Sequence, residues 1–247
     1  MRILLTLEYD GTDYAGWQRQ LNGPSVQEAL EDALRRATGT DTRITGASRT
    51  DAGVHALGQR AHFDTASSIP PDGYPLVLGT LLPRDIAVTQ SVAVPDSVHA
   101  RFSAKGKEYT YRILNRRSPS ALRRRFTAHV PVPLCFEAMM QALPMLEGTH
   151  DFAAFVAAGG SQKTTVRRID RINLVRQEDE IILTVAGNAF LYNMVRIIAG
   201  TLIDIGKGRL DAGCVARAIE TGDRLQLGAT APACGLELTR VFYEGGL

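Results

Sequence analysis

Residues 2–39, RILLTLEYDGTDYAGWQRQLNGPSVQEALEDALRRATG, decide how the fold begins. Apolar side chains recur at every second position of residues 2–9, which predicts a strand with one buried face. Ser25 and, three residues later, Glu28 form a capping box, which predicts that a helix begins there. Gly39 follows the last apolar position of this pattern and ends the helix. A strand, a turn-rich connection and a capped helix therefore open the chain.

The elements that follow predict two related α/β halves. Strand patterns at 42–48, 58–64 and 85–94 and a short helix at 72–82 complete a β-α-β-β-α-β order, typical of ferredoxin-like and RNA-recognition sheets. A second series comprises strands at 106–114, 166–176, 180–188 and 236–243 and helices at 134–147, 190–205 and 211–221. We predict an α/β (α+β) fold with mixed, largely antiparallel sheets, divided into halves at 1–104 and 105–247.

The composition excludes several classes of protein. Hydrophobic residues make up 45% and charged residues 22% of the 247 positions, which is typical of a globular protein. No apolar run approaches the roughly 20 residues of a membrane-spanning helix, and the first residues lack a signal-peptide pattern. The three cysteines are far apart, which argues against a disulfide framework or a zinc ribbon. We expect a cytoplasmic protein that does not associate with membranes.

The basic residues are mostly arginine. Only four of the 28 basic residues are lysine, and the net charge is +2. Arginine suits bidentate phosphate contacts and stacking on bases, although genome composition produces the same bias. Two local clusters suit a polyanionic partner, although such runs are usually solvated faces. These clusters comprise Arg116, Arg117, Arg123, Arg124 and Arg125 in the first and Arg167, Arg168 and Arg171 in the second.

The segment GASRTDAGVHALGQ at 46–59 carries the best candidate for chemistry. Arg49 and Asp51 are two residues apart, so in an extended segment both side chains project to one side and can pair. Such pairing keeps the carboxylate ionised and directed, and the flanking Gly46 and Gly53 allow tight turns. An oriented aspartate in such a loop is a candidate nucleophile or general base. From the residues alone, a turn with a surface salt bridge is the commoner alternative.

Motifs for cofactors and metals are missing from the sequence. His55 has no HExxH motif around it, no second histidine nearby and no clustered thiols, which argues against a metal site or a catalytic triad. There is no phosphate-binding GxxxxGK loop and no convincing GxGxxG motif. We therefore expect no metal, no nucleotide and no other cofactor.

The segment GASRTDAGVHALGQ closely resembles the active-site motif of the tRNA pseudouridine synthase A family. Four further blocks resemble that family's motifs in the same order and span nearly the whole chain. These blocks are EYDGTDYAGWQRQ with PSVQEALE, SVHARFSAKGKEYTYRI, DFAAF at 151–155, and NAFLYNMVRIIAG. Such an ordered set is very hard to obtain by chance.

The resemblance implies a role for several residues. Asp51 matches the catalytic aspartate, Arg49 the arginine paired with it, and Arg196 a second arginine that faces the same carboxylate. Tyr109 matches the tyrosine that stacks on the target base, and Leu236 an apolar residue that lines the pocket. The residues themselves favour a partner for Arg196, because it lies in an otherwise apolar helical run and a buried arginine needs an anion. Bonding to backbone carbonyls is the alternative.

By resemblance, the expected activity is the isomerisation of uridine to pseudouridine in the anticodon stem-loop of tRNA, at positions 38, 39 and 40. The family pattern implies the pseudouridine synthase fold and a homodimer. We expect RNA contacts from the two basic clusters, including Arg123, Arg124, Arg167 and Arg168. Two alternatives stay open: a non-catalytic RNA-binding module, and a lyase or hydrolase that acts on a small molecule through an Asp–Arg pair.

Overall fold

A computed structural model describes residues 1–157, 159 and 163–246. The chain forms two compact units, of which the first comprises Met1–Lys105 and Glu237–Leu247 and the second Gly106–Leu236. The division at 104–105 expected from the sequence stays a prediction. The final strand belongs to the first unit, because it pairs with a strand of that unit.

The first unit contains a mixed sheet and two helices. Its elements are β1 (Arg2–Tyr9), α1 (Val26–Thr38), β2 (Thr45–Gly46), β3 (His55–Asp64), α2 (Tyr74–Gly79), β4 (Ile86–Val94) and β10 (Leu236–Tyr243). The strand order is β4-β1-β3-β10, with β2 also paired to β3. β1 runs antiparallel to both β3 and β4, whereas β10 is parallel to β3.

Ser25 and Gly39 cap α1 as predicted, whereas the return bond from the Glu28 side chain in the capping box stays a prediction. The Ser25 hydroxyl accepts a hydrogen bond from the backbone N–H of Glu28 at 3.2 Å. Gly39 ends the helix in the left-handed conformation (φ 72°) and its N–H donates to the carbonyl of Arg35, which satisfies a carbonyl that would otherwise lack a partner. The helix buries an apolar stripe made of Val26, Leu30, Ala33 and Leu34. Burial of each large side chain contributes about 1.5–3 kcal/mol to folding.

Two strands of this unit differ in length from their predicted bounds. The strand predicted over 42–48 is only two residues long, Thr45–Gly46. The strand predicted over 58–64 begins three residues earlier, at His55. Gly58 therefore lies inside the strand, where a Cβ would come within 2.4 Å of the Thr239 carbonyl oxygen on β10. A glycine in a strand marks such a close approach of backbone.

The second unit contains a largely antiparallel sheet with helices. Its elements are β5 (Ala104–Leu114), β6 (Ala128–His129), α3 (Phe136–Ala142), β7 (Gly148–Asp151), β8 (Val166–Gln177), β9 (Glu180–Gly187), α4 (Met194–Gly206) and α5 (Cys214–Thr221). The strand order is β5-β9-β8-β7, all antiparallel, and β6 is parallel to β5. The fold class predicted from the sequence, mixed α/β, is confirmed.

All three predicted helices of this unit are shorter than expected, and the one predicted over 211–221 begins at Cys214. The helix over 134–147 ends at Ala142, and a 3-10 turn at Leu143–Met145 replaces its last part, because Pro144 cannot continue an α-helix. The helix predicted from 190 begins at Met194. Asn193 before it is left-handed (φ 61°), a conformation that asparagine tolerates better than most residues and that cannot continue a right-handed helix. Among the helices of the described residues, none is long and apolar enough to cross a membrane.

The turn at residues 95–103 follows β4 in the first unit and is fixed by side chains of the sheet. The guanidinium of Arg2 on β1 donates to the carbonyls of Asp96 and Val98. On β3, His62 Nδ1 accepts the backbone N–H of Ala100 at 3.1 Å. On β10, the Tyr243 hydroxyl donates to the Ala100 carbonyl at 2.6 Å. Three strands therefore hold residues 95–103 in one conformation.

Protonation of His62 should destabilise the first unit. Burial and, secondarily, the Arg2 charge lower the pKa of His62 from 6.5 to about 4, because both disfavour imidazolium. Between these two pKa values the unfolded chain binds the proton and the folded chain does not, so stability falls as the pH falls from about 6.5 to 4. We expect this side chain to contribute up to about 1.4 kcal/mol per pH unit in that interval.

The measurement is thermal unfolding between pH 4 and pH 7.5. His62→Asn is the control, because its amide oxygen can accept the Ala100 N–H and does not titrate. The variant should show a flatter pH dependence than the wild type. Equal slopes, or an NMR titration of His62 with a midpoint near 6.5, would contradict the assignment.

Candidate active site

The loop between β2 and β3 presents Arg49 and Asp51 on its open side. Ser48 and Thr50 are buried, whereas Arg49 is exposed and Asp51 partly exposed. The side chains therefore alternate, as expected for an extended segment in which residues i and i+2 share a side. Gly53 is left-handed (φ 74°), and the Val54 N–H donates to the Asp51 carbonyl at 3.1 Å. A tight turn thus ends the loop directly after Asp51.

The backbone of residues 10–17 holds this loop from one side. The Trp17 N–H donates to the Thr50 carbonyl at 3.0 Å, and the Gly53 N–H donates to the Tyr14 carbonyl at 3.3 Å. These two hydrogen bonds lie on either side of Asp51 along the chain. They fix the peptide groups that determine where its carboxylate points.

Two glycines make this approach of backbone to backbone possible. A Cβ on Gly11 would lie 2.0 Å from the Val54 carbonyl oxygen. A Cβ on Gly16 would lie 2.6 Å from the Thr50 carbonyl oxygen, and Gly16 also has a φ of +110°, which disfavours residues with a side chain. The glycines in EYDGTDYAGW therefore serve the loop at 46–54, which lies far away in sequence.

Buried side chains hold the loop from its inner face. The Tyr9 hydroxyl and the Thr50 Oγ1 are hydrogen-bonded at 2.7 Å. Gln59 is 0% exposed; its Nε2 donates to the Ser48 carbonyl at 2.8 Å and its Oε1 accepts the Ser48 N–H at 3.2 Å. Gln59 Nε2 is also 3.4 Å from the Tyr9 hydroxyl. One hydrogen-bonded network therefore connects Gln59 to the residue before Asp51.

His55 supports the start of β3. Its Nδ1 accepts the Gly11 N–H at 3.0 Å and lies 3.2 Å from Asp10 Oδ1. The Tyr14 hydroxyl donates to Asp85 Oδ1 at 2.7 Å. Burial, and to a smaller extent this hydrogen bond, raise the pKa of Tyr14. Within the described part of the chain, no group of three or more His, Cys, Asp or Glu side chains could hold a metal ion.

The ion pair expected between Arg49 and Asp51 stays a prediction. The backbone sets both side chains on one side of the loop, but Arg49 extends into solvent. An exposed arginine gains little by holding one carboxylate in water. Backbone hydrogen bonds fix the loop on either side of Asp51.

In the second unit, Arg196 on α4 is held by two local acceptors. Its Nε donates to the Ala231 carbonyl at 2.8 Å and its Nη1 to Asn193 Oδ1 at 2.7 Å. Bonding of this arginine to a backbone carbonyl, the alternative left open by the sequence, is observed. The Ala231 N–H in turn donates to the Arg196 carbonyl at 3.1 Å. These hydrogen bonds fix the orientation of the guanidinium plane.

Asn193 is a site residue that the sequence reasoning missed. It both ends the extended segment before α4 and holds the Arg196 guanidinium. The signal was available: an asparagine just before an apolar helical run is the residue type that adopts the left-handed conformation. The sequence did not show that the same side chain would reach an arginine three residues later.

Tyr109 and Leu236 are both buried. Tyr109 lies on β5 opposite Val185, is 7% exposed, and packs edge-to-face on Phe190 with ring centroids 5.1 Å apart. Leu236 follows the 3-10 turn at Ala233–Gly235, and its N–H donates to the Ala233 carbonyl. Core packing alone also explains both positions.

The first basic cluster contains its own counter-ions. Arg123 donates to both carboxylate oxygens of Asp179 and to Glu180, each at 2.9 Å, and Arg116 donates to Asp179 at 2.9 Å. The hydrogen bond from Arg123 and its charge lower the pKa of Asp179. Arg124, by contrast, is exposed. Arg123 is therefore primarily bound to carboxylates of its own unit.

Arginines of the second basic cluster also bind carboxylates of their own unit. Arg168 Nε donates to Asp170 Oδ1 at 2.6 Å, and Arg171 donates to the buried Glu108 at 2.6 Å. Arg167 is half-buried, and this burial lowers its pKa. Local sequence counts of arginine thus overstate the positive charge available to a ligand.

Comparison with known proteins identifies the family of this chain. The sequence model of a family described as tRNA pseudouridine synthase matches residues 6–103 and 142–244. The chain belongs to the tRNA pseudouridine synthase family. The matched ranges contain Arg49, Asp51, Arg196 and Leu236, whereas Tyr109 lies between them.

Curated relatives named tRNA pseudouridine synthase A match nearly the whole chain. The relative from Acetivibrio thermocellus is 48% identical over 241 residues, covering 98% of this chain and 99% of that protein. The relative from Ruminiclostridium cellulolyticum is 48% identical over 243 residues with the same coverage. The relative from Halalkalibacterium halodurans is 48% identical over 236 residues, covering 95% of this chain and 90% of that protein.

A solved H/ACA RNP structure bound to a substrate RNA is similar to the chain at 12% identity with a TM-score of 0.43. That match covers 97% of this chain, which spans about half (49%) of the length of the solved one.

Replacing Gln59 should impair catalysis more than substrate binding. Gln59→Met keeps the volume but leaves the Ser48 N–H and carbonyl without partners, which costs about 1–3 kcal/mol of stability. We expect kcat for pseudouridine formation to fall about 10-fold or more with little change in KM, because the loop moves while RNA-contacting arginines do not. The measurement combines steady-state kinetics with thermal unfolding.

Gln177→Met is the matched control, because Gln177 is an exposed glutamine at the end of β8. It should leave both kinetic constants unchanged. A folded Gln59→Met protein with the wild-type kcat would show that Gln59 does not position the loop.

Proposed function

We propose that this chain isomerises uridine to pseudouridine in tRNA, in the anticodon stem-loop at positions 38, 39 and 40. The observation that carries the proposal is the loop at 46–54. It presents Asp51 on its open side, with backbone hydrogen bonds on either side of that residue, and it lies inside the match to the tRNA pseudouridine synthase family.

The reaction needs a directed carboxylate and no external reagent. The N1–C1′ glycosidic bond breaks, the uracil turns, C5 joins C1′, C5 loses its proton and N1 gains one. No electrons are exchanged with another molecule. Asp51 acts as the nucleophile or base at the ribose, in analogy to carboxylates that form covalent intermediates with sugars; attack on C6 of the uracil is the less favoured alternative. We propose no cofactor and no metal.

Three further residues complete the proposed catalytic set, and a fourth lines the pocket. Tyr109 stacks on the target base and assists proton movement, Arg49 and Arg196 keep the Asp51 carboxylate ionised, and Leu236 lines the pocket. The fixed guanidinium of Arg196 supports its role, because a donor held in place before the reaction costs little reorganisation. These assignments rest on the positions that match the family motifs.

The substrate must be bound as a folded RNA with one base extruded. A uridine in a stacked stem is accessible only after it leaves the stack, and arginines that contact phosphates recognise the shape of the RNA. Of the four arginines expected to contact tRNA, Arg124 is exposed, whereas Arg123, Arg167 and Arg168 have acceptors within their own unit. A homodimer and a cytoplasmic location, both expected from the resemblance to the tRNA pseudouridine synthase A family, are also part of the proposal.

The first test compares the wild type with Asp51→Asn on unmodified tRNA transcripts. The amide keeps the volume of the carboxylate but cannot act as nucleophile or base, so product should fall by at least about 10³-fold. Pseudouridine is mapped by carbodiimide treatment and primer extension. Asp72→Asn is the control, because Asp72 is an exposed carboxylate outside the loop at 46–54. A folded wild type that binds tRNA and forms no pseudouridine favours the non-catalytic RNA-binding module.

The second test separates two adjacent arginines. Arg124→Gln should weaken tRNA binding and reduce the slope of log K against log salt by about 1, because one phosphate contact is lost. Arg123→Gln should mainly lower the unfolding temperature, because Asp179 and Glu180 each lose one of their partners. Filter binding at several salt concentrations and thermal unfolding give both quantities. The reverse pattern would assign the phosphate contact to Arg123.

A further inference from the structure

The turn at residues 95–103 presents an aromatic side chain to solvent. Phe102 is 78% exposed, although the turn around it is fixed by side chains of the sheet. Besides the ties to Arg2, His62 and Tyr243, the turn is closed by its own hydrogen bonds: the Ser103 N–H donates to the His99 carbonyl, and the His99 N–H to the Ser103 hydroxyl, both at 2.9 Å. The exposed ring is therefore held on a rigid base.

The Phe102 ring is stacked on an imidazole that is itself fixed. The rings of Phe102 and His99 are stacked, with centroids 4.3 Å apart and an angle of 29° between the planes. His99 Nδ1 accepts the N–H groups of Arg101 and Phe102, at 3.1 and 3.2 Å. On its other side, the His99 ring packs edge-to-face on buried His62 at 4.7 Å. Burial and the Arg2 charge lower the pKa of His99, which keeps the stacked imidazole neutral.

A cation lies beside the same ring. The guanidinium carbon of Arg101 is 5.9 Å from the Phe102 centroid, and Arg101 is exposed. Among the salt bridges of the described residues, none involves Arg101. An exposed phenylalanine gives up the burial free energy that its side chain could contribute to folding. A rigid, open aromatic face with an adjacent arginine is the combination with which proteins bind single-stranded nucleic acid.

We propose that Phe102, stacked on His99 and flanked by Arg101, is a platform for an unpaired nucleobase of the RNA substrate. The base stacks on the open face of Phe102, and Arg101 contacts an adjacent phosphate. The inference rests on the proposed function for the nature of the substrate. It concerns a base other than the target uridine, for which Tyr109 is the proposed stacking partner. The platform can bind any of the four bases of RNA, because every base has an aromatic face.

Binding of unmodified tRNA transcripts tests the platform. Phe102→Ala should weaken tRNA binding about 5- to 100-fold, the range expected for the loss of one base–aromatic stack. Phe102→Tyr should bind like the wild type, whereas Phe102→Leu, which keeps apolar bulk without an aromatic face, should resemble Phe102→Ala. Leu76→Ala is the matched control, because Leu76 is 79% exposed on α2 of the same unit; its affinity should not change.

Fluorescence gives a direct readout of stacking. The chain has one tryptophan, Trp17, which is 3% exposed. In Phe102→Trp, tRNA should therefore quench the added indole strongly, since a base stacks on it. In Leu76→Trp, quenching should be small. Equal quenching in both variants would overturn the platform.

The remaining outcomes separate the platform from the proposed function. If the wild type forms pseudouridine and Phe102→Ala binds tRNA with unchanged affinity, the platform is wrong and the proposed function stands. If the wild type forms no pseudouridine but Phe102→Ala binds tRNA more weakly, the platform stands and the proposed function fails. If Phe102→Ala changes the molecular mass measured by light scattering and leaves the affinity for tRNA unchanged, Phe102 contacts a second copy of the chain instead.

Discussion

The close packing of backbone on backbone between residues 11–16 and 50–54 is the constraint on which the candidate site depends. Two peptide segments approach so closely that a methyl group on Gly11 or Gly16 would overlap a carbonyl oxygen. A loop fixed by its own peptide groups holds a side chain more firmly than one fixed by mobile surface contacts, because backbone hydrogen bonds leave few alternative conformations. Two sequence blocks separated by a helix are thereby one structural element.

Close contact between two backbone segments also positions Arg196 in the second unit. A Cβ on Gly200 of α4 would lie 1.7 Å from the Ala229 carbonyl oxygen, and the Gly228 N–H donates to Thr201 Oγ1 at 3.1 Å. The segment that follows α5 therefore lies directly on the helix, where its Ala231 carbonyl receives the Arg196 Nε. In both units, a glycine permits close contact between two backbone segments. In the second unit, a backbone carbonyl in that contact also fixes the orientation of the Arg196 side chain.

Elements defined by local rules could be predicted from the sequence. β1, β8, β9 and β10 have their expected bounds to within a residue, and the caps of α1 are as predicted, because strand alternation and helix capping act over a few residues. The length of β2 could not be predicted, since pairing with β3 decides it. The start of α4 was predicted wrongly, although Asn193 was a local signal for a left-handed residue before the helix. Tertiary contacts override the intrinsic helix or strand propensity of a segment where their free energy is larger.

Side-chain partners were harder to predict than the side on which residues lie. Alternation placed Arg49 and Asp51 on the same side of the loop, but proximity in sequence did not determine whether they pair. The sequence likewise suggested that the charge of Arg123 is available to a ligand. In the structure Arg123 binds Asp179, which lies more than fifty residues away in sequence. An arginine contacts RNA phosphate strongly only if it need not first leave a carboxylate, because that exchange offsets much of the gain. Positive charge for a polyanion is therefore best sought at exposed residues such as Arg101 and Arg124, and not in the densest run of arginines.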